Sequence, residues 1–313
     1  MWTPEFERFV APARRRPQLW RVALGLVLIF AVYVALHLGT VALVGLLIVF
    51  QAPPTDAVEM QRWFGDFVVG RNPTGVVAVL LCFAGMVLGA AMAARWLHSR
   101  PISSLWGTDI WRGFAPAALI TLGIGGLSAL LAFGEGVELV PNTPLPMFLT
   151  FLPAALLALA IQTGAEEVVF RGYLQGQLAA RFQSPLVWML LPSLLFGALH
   201  VDHASLIETG RFAENDAMIF AATTLVGLLA ADLTRVTGSL GAAWGLHFAN
   251  NVQALLIVSL DDVLSGLSLW HTPFGPHDTE VLPMLLVQDM VLLMVIWAAI
   301  RLWLSRRRHG ALA

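Results

Sequence analysis

Lysine is missing from this chain: all 18 basic residues among its 313 are arginine. Charge of either sign is scarce at 12%, against 58% hydrophobic residues, and long apolar stretches recur from Val22 to Leu304. Such a balance counts against nucleic-acid binding and describes an integral membrane protein, in which arginines report topology. The one cysteine, Cys82, lies within an apolar run. It can form no internal disulfide and reads as a small packing residue. There is no internal repeat, no low-complexity linker, no lipidation motif and no helical His-Glu-x-x-His zinc motif. The arginine-only composition points to a GC-rich, bacterial source.

What is present is a series of apolar runs. The first, Val22–Phe50, follows Arg14, Arg15, Arg16 and Arg21, but its 29 residues exceed a signal-peptide core, so it reads as a retained transmembrane helix. Eight spans are expected, near 22–50, 74–97, 113–133, 147–170, 185–203, 217–233, 238–260 and 281–304. The fold class is therefore an all-α, polytopic membrane bundle of about eight transmembrane helices. It is organised as a cytoplasmic segment 1–21, a single transmembrane domain 22–304 and a cytoplasmic tail 305–313. Placing the N-terminus inside puts most arginines on one side and Asp56, Glu59, Glu135, Glu138, Glu208, Asp261 and Asp262 on the other. The expected location is the inner (plasma) membrane, multi-pass, with both termini cytoplasmic. Small residues four apart at Gly85/Gly89, Gly172/Gly176 and Gly241/Gly245 suit close helix packing in lipid.

Against this background, Glu166 and Glu167 stand out. An ionised group at membrane depth costs about 2.5–3.5 kcal/mol on insertion scales, so two acids and Arg171 beside a hydrophobic span mark a functional site. Glu167 and Arg171 are spaced i,i+4 and share a helix face, which predicts a salt bridge and leaves Glu166, turned by about 100°, for chemistry. Two further i,i+4 pairs follow, Phe196 with His200 and His247 with Asn251. Pro185 sets a hairpin break at 181–185. Glu166 and His200 each lie 17 residues from Gln183, hence level with one another. His247 reaches the same depth if the hairpin protrudes by roughly 7 Å into the cytoplasm. A glutamate as general base, a histidine to orient or polarise, and a histidine and an asparagine to donate to an oxyanion suit peptide-bond hydrolysis. The alternative is a divalent metal such as zinc on Glu166, His200 and His247.

The strings Glu-Glu-Val-Val-Phe-Arg, Phe-Gly-Ala-Leu-His and His-Phe-Ala-Asn-Asn, in that order across Glu166–Asn251, resemble the CAAX-processing and bacteriocin-processing (CPBP or Abi) intramembrane proteases. The resemblance implies a bundle of about eight helices with a site open to the cytoplasm. It assigns water activation to Glu166, assistance to His200, and oxyanion stabilisation to His247 and Asn251. Glu167, Arg171 and Phe196 are supporting residues. The leading reading needs no cofactor and takes a peptide or protein substrate, membrane-anchored or not, in the lipid bilayer. A leader peptide, bacteriocin precursor or membrane-protein tail fits a bacterial chain better than a prenylated CAAX substrate.

Two rivals come from other classes. One is a non-catalytic membrane scaffold or bacteriocin-immunity protein; the other is a proton-coupled transporter, which the absence of repeated halves and paired broken spans disfavours. Among isolated polar residues, His37 reads as an interior histidine, His203 as interfacial, Asn250 as a helix-packing hydrogen-bonder and Asp232 as the partner of Arg235. The segment Ser268–Glu280 reads as an external loop.

Overall fold

A computed structural model describes residues 2–51, 56–134 and 138–310; Glu135 and the last three residues of the expected tail lie outside that set. The chain is almost wholly helical. In order it forms α1 (Pro4–Val10), α2 (Leu19–Gln51), α3 (Ala57–Val68), α4 (Pro73–Cys82), α5 (Ala84–Met92), α6 (Ile110–Gly134), α7 (Leu145–Glu167), α8 (Gly176–Ala179), α9 (Leu191–Ala198), α10 (His203–Thr209), α11 (Asp216–Thr237), α12 (Gly241–Val252) and α13 (Leu282–Gly310). Three two-residue strands, β1 (Val140–Pro141), β2 (Val258–Ser259) and β3 (Trp270–His271), form a small sheet in the order β1-β3-β2.

Six helical stretches are long and apolar enough to cross a membrane, and a seventh counts if the pair Leu186–Ala198 and His203–Thr209, bent by 65°, is one span. This is a multi-pass, all-α membrane bundle. The expected eighth span, 238–260, is where the count falls short. There α12 and a π-helical turn, Gln253–Ile257, end at Val258, whose extended backbone (φ −131°, ψ 115°) turns into β2. The strand pairs with β3, so part of the expected external loop 268–280 is strand. The helix edges also run past the expected bounds, from Leu19 at the first span and to Gly310 at the last.

Large apolar side chains face outward on the peripheral helices, as lipid contact requires: Phe30 is 67% exposed, Leu119 70% and Leu130 70%. The polar chain is kept inside. Helix α7, a π-helical segment Val168–Gln175 and α8 run as one 35-residue rod, Leu145–Ala179, roughly 52 Å long and well beyond a bilayer core of about 30 Å. Every residue from Gln162 to Ala179 is buried. The acidic pair and Arg171 therefore lie on a helix wrapped by protein, where a charge meets partners rather than hydrocarbon.

The small-residue pairs do the wrapping. A Cβ on Gly89 would come within 2.6 Å of Ile29 Cα, and one on Gly245 within 2.3 Å of the Phe114 carbonyl oxygen. These close approaches press α5 onto α2 and α12 onto α6. Gly172 meets the Leu105 carbonyl in the same way, at 2.4 Å.

Both ends of the chain meet at one rim. Thr3 Oγ1 donates to the Arg235 carbonyl at 2.7 Å, Arg15 donates to Ser99 O and Arg21 to Leu97 O. Residues of α1 and of the C-terminal turn of α13, including Arg8 and Arg307, line a common cavity there.

Candidate active site

The site is built on two helices, α7 and α12, that cross with their polar faces together. Along α7 the relevant side chains are Gln162, Thr163, Glu166 and Glu167; along α12 they are Trp244, His247 and Asn251. Trp244 Nε1 donates to Thr163 Oγ1 at 3.1 Å, and Asn251 Nδ2 donates to Gln162 Oε1 at 3.1 Å. Between these two pins the His247 ring enters the acidic pair. Its Nδ1 lies 2.9 Å from Glu167 Oε1 and its Nε2 3.3 Å from Glu166 Oε2.

The second layer fixes Glu167. Arg171 Nη1 pairs with Glu167 Oε1 at 3.0 Å, as the i,i+4 spacing predicts, and both side chains are almost fully buried. Arg171 Nη2 donates to the Gly227 carbonyl of α11 at 3.2 Å, and its guanidinium lies 4.8 Å from the centroid of the Phe196 ring. Glu167 thus carries two donors on one oxygen. The π-helical segment begins one residue after it, at Val168, a helix irregularity often found at functional sites.

Glu166 is held differently. It is 7% exposed, and its Oε2 forms no aligned hydrogen bond among the described residues; the His247 Nε2 contact is close but off the bonding direction. Two carboxylates share one guanidinium and one imidazole, so acceptor capacity is left over on both.

His200 stands apart from this cluster. Helix α9 ends at Ala198, and His200 lies in the following turn, exposed, with Nδ1 2.7 Å from the Phe196 carbonyl oxygen. Since a carbonyl only accepts, Nδ1 carries a proton. No hydrogen bond or ion pair joins His200 to Glu166 among the described residues. The link runs through Phe196, whose ring is 4.6 Å from that of His200 and 5.9 Å from that of His247, edge-on to the latter. His247 and Asn251, expected to act as one donor pair, meet different partners on α7, the acidic pair and Gln162.

Three of these residues escaped the sequence reading: Gln162, Thr163 and Trp244. Gln162 sits four residues before Glu166 and so on its face, directly after the apolar run 147–161; that spacing was the available signal. Trp244, three residues before His247, carries none. His203 lies exposed at the first turn of α10, His37 stacks obliquely on Tyr33 with ring centroids 6.1 Å apart, and neither touches the site.

The metal alternative fares less well on donor geometry. Among the described residues no group of three or more histidine, cysteine, aspartate or glutamate side chains is placed to hold an ion. His247 Nδ1 is held by Glu167 Oε1 with Nε2 close to Glu166, and His200 is turned to its own backbone. Of the three residues expected to hold zinc, Glu166 and His247 come together and His200 stands apart from them.

A buried carboxylate beside an imidazole can accept a proton from a water. Residues 147–253 match the family described as Type II CAAX prenyl endopeptidase Rce1-like, a window that holds every residue of the cluster. The resemblance carried by the three motifs is shown over that window, and the matched family is one of CAAX-type proteases. Uncharacterized protein YyaK of Bacillus subtilis (strain 168) is 29% identical over 161 residues, covering 51% of this chain and 50% of that protein. The match thus spans about half the length of that relative. No solved structure gives a significant match.

Proposed function

We propose that this chain is an intramembrane endopeptidase that hydrolyses a peptide bond with a Glu166-activated water. The observation that carries the reading is the contrast within the acidic pair. Each keeps a buried Oε2 without a hydrogen bond among the described residues, but Glu167 is pinned through Oε1 by Arg171 and His247, whereas Glu166, one residue away, has only the off-line His247 Nε2 contact. A carboxylate with spare acceptor capacity in a water-poor pocket is suited to take a proton from an incoming water.

In this reading Glu167 and Arg171 hold His247 by its Nδ1, leaving Nε2 as the nitrogen that faces the reacting groups. On substrate entry the ring donates Nε2–H to the developing oxyanion when it carries both protons, Nδ1–H staying on Glu167, and the Asn251 amide, oriented by Gln162, is the second donor. The proton taken by Glu166 then passes to the leaving amine. His200 assists from the edge of the site. Phe196 is the wall between the two histidines. No step uses a metal. The site faces the cytoplasm, both termini are cytoplasmic, and the substrate is a leader peptide, bacteriocin precursor or membrane-protein tail.

The test is cleavage of a candidate peptide by the purified protein in detergent or vesicles. Wild type should turn over, and Glu166→Gln and His247→Ala should not. Unchanged turnover in both folded variants would remove the assignment. Full rescue of a cellular phenotype by Glu166→Ala would instead favour a scaffold or immunity role.

A further inference from the structure

A second polar site lies at the rim where the chain ends meet. A cavity of about 800 Å³ opens there between α1, the loop before α6, the start of α12 and the last turns of α13. None of Glu166, His200, His247 and Asn251 lines it. Its charged lining consists of Arg8, Arg112 and Arg307, with Glu5 and Asp109. The three arginines form no ion pair with a carboxylate among the described residues; Arg307 lies 4.9 Å from the ring centroid of Trp303, which also lines the cavity.

Position gives the cavity its meaning. Two membrane-crossing helices terminate at its mouth, α6 starting at Ile110 and α13 running through Leu282–Arg307. Trp303 stands at that level, as a tryptophan at the boundary between hydrocarbon and headgroups does. Three unpaired guanidiniums at headgroup depth recognise phosphate by paired N–H donors. The first turn of α6, at Arg112 and Gly113, adds amide dipoles of the same sign. Asp109, in the same lining, can accept from the hydroxyls or ammonium of the rest of a headgroup.

We infer that this cavity binds the headgroup of a phospholipid, with its phosphate on Arg8, Arg112 and Arg307. The inference is independent of the proposed hydrolysis. A phosphate can also arrive free in solution, so the test separates the two sources. The full chain is reconstituted in nanodiscs or micelles, and retention of phosphatidylglycerol is followed by native mass spectrometry, with diacylglycerol as the phosphate-free probe and inorganic phosphate as the soluble one.

Wild type should retain phosphatidylglycerol over diacylglycerol, and Arg112→Gln/Arg307→Gln should weaken retention by roughly fivefold for each arginine removed. Arg62→Gln, on α3 at the far end of α2, should change nothing. Because these arginines are exposed, the variants should melt as wild type does. Equal retention by wild type and the double variant, or of diacylglycerol and phosphatidylglycerol, overturns the site. Binding of inorganic phosphate without retention of lipid overturns the lipid as its source.

Discussion

Two buried carboxylate clusters in this molecule look alike in sequence and differ in how completely they are bonded. At Asp232, on α11, Oδ1 accepts from Arg235 Nε at 3.1 Å and Nη2 at 2.6 Å, while Oδ2 accepts from Trp297 Nε1 at 3.1 Å and from Arg301. Both oxygens are filled, and the cluster ties α11 to α13. At Glu166 and Glu167 a single guanidinium and a single imidazole serve four oxygens, and the Oε2 atoms of both residues have no hydrogen bond among the described residues. A filled carboxylate is cement, whereas an unfilled one inside a protein carries a desolvation cost that a water or substrate can relieve. On that ground the second cluster, and not the first, is assigned to chemistry.

Substitutions can break or sharpen this contrast. The largest effect is expected at Glu166→Gln, which should lower kcat by about 10²–10⁴-fold with the melting temperature little changed; steady-state cleavage with a thermal melt in the same detergent decides it. Arg171→Met leaves Glu167 as a buried charge without its cation and should cost about 3–5 kcal/mol of stability, read from the unfolding midpoint. Asn251→Ala should reduce kcat by about 10²-fold with a smaller change in KM, the mark of a donor to the oxyanion. Asp232→Asn should cost only about 1 kcal/mol, since both arginines it pairs with are partly solvated, and should leave kcat intact. A large loss of turnover there would erase the distinction.

The smallest effect concerns His98, in the loop after α5. Its Nδ1 donates to the Arg16 carbonyl at 2.7 Å and its Nε2 accepts from Tyr173 Oη at 2.9 Å. Burial, reinforced by the nearby Arg100 and Arg21 charges, holds its pKa below the ordinary 6.5. The unfolded chain therefore binds the proton more readily than the folded one. Stability should be complete above about pH 6.5 and decline as pH falls into the window below it, and His98→Gln should flatten that decline in melts taken across it.

Much of this was legible beforehand, and the misses have physical causes. Apolar run length gave the bundle because lipid imposes a length on every span. At 238–260 it did not foresee where the helix stops, since Val258 trades helix for a strand paired with β3, a long-range contact that local hydropathy does not register. The Glu167–Arg171 pair was readable because i,i+4 contacts are set by one helix alone. His200 was not, because counting residues from a hairpin turn fixes height but leaves rotation about the helix axis free. The helix ends two residues before His200, and the ring folds back onto its own turn. Likewise the spacing of His247 and Asn251 placed both on one face but could not say how α7 docks on α12, giving one of them the acidic pair and the other Gln162.

The bond from Thr3 to the carbonyl of Arg235 carries a consequence for how the molecule is made. Helix α1 is synthesised before α11, yet its dock on α11, and the T-shaped seat of Trp2 on Trp188, are built from chain made far later. Residues 2–10 must wait while most of the bundle is threaded. They then close over it as a latch, so Trp2→Ala should hinder the final locking step more than the threading itself.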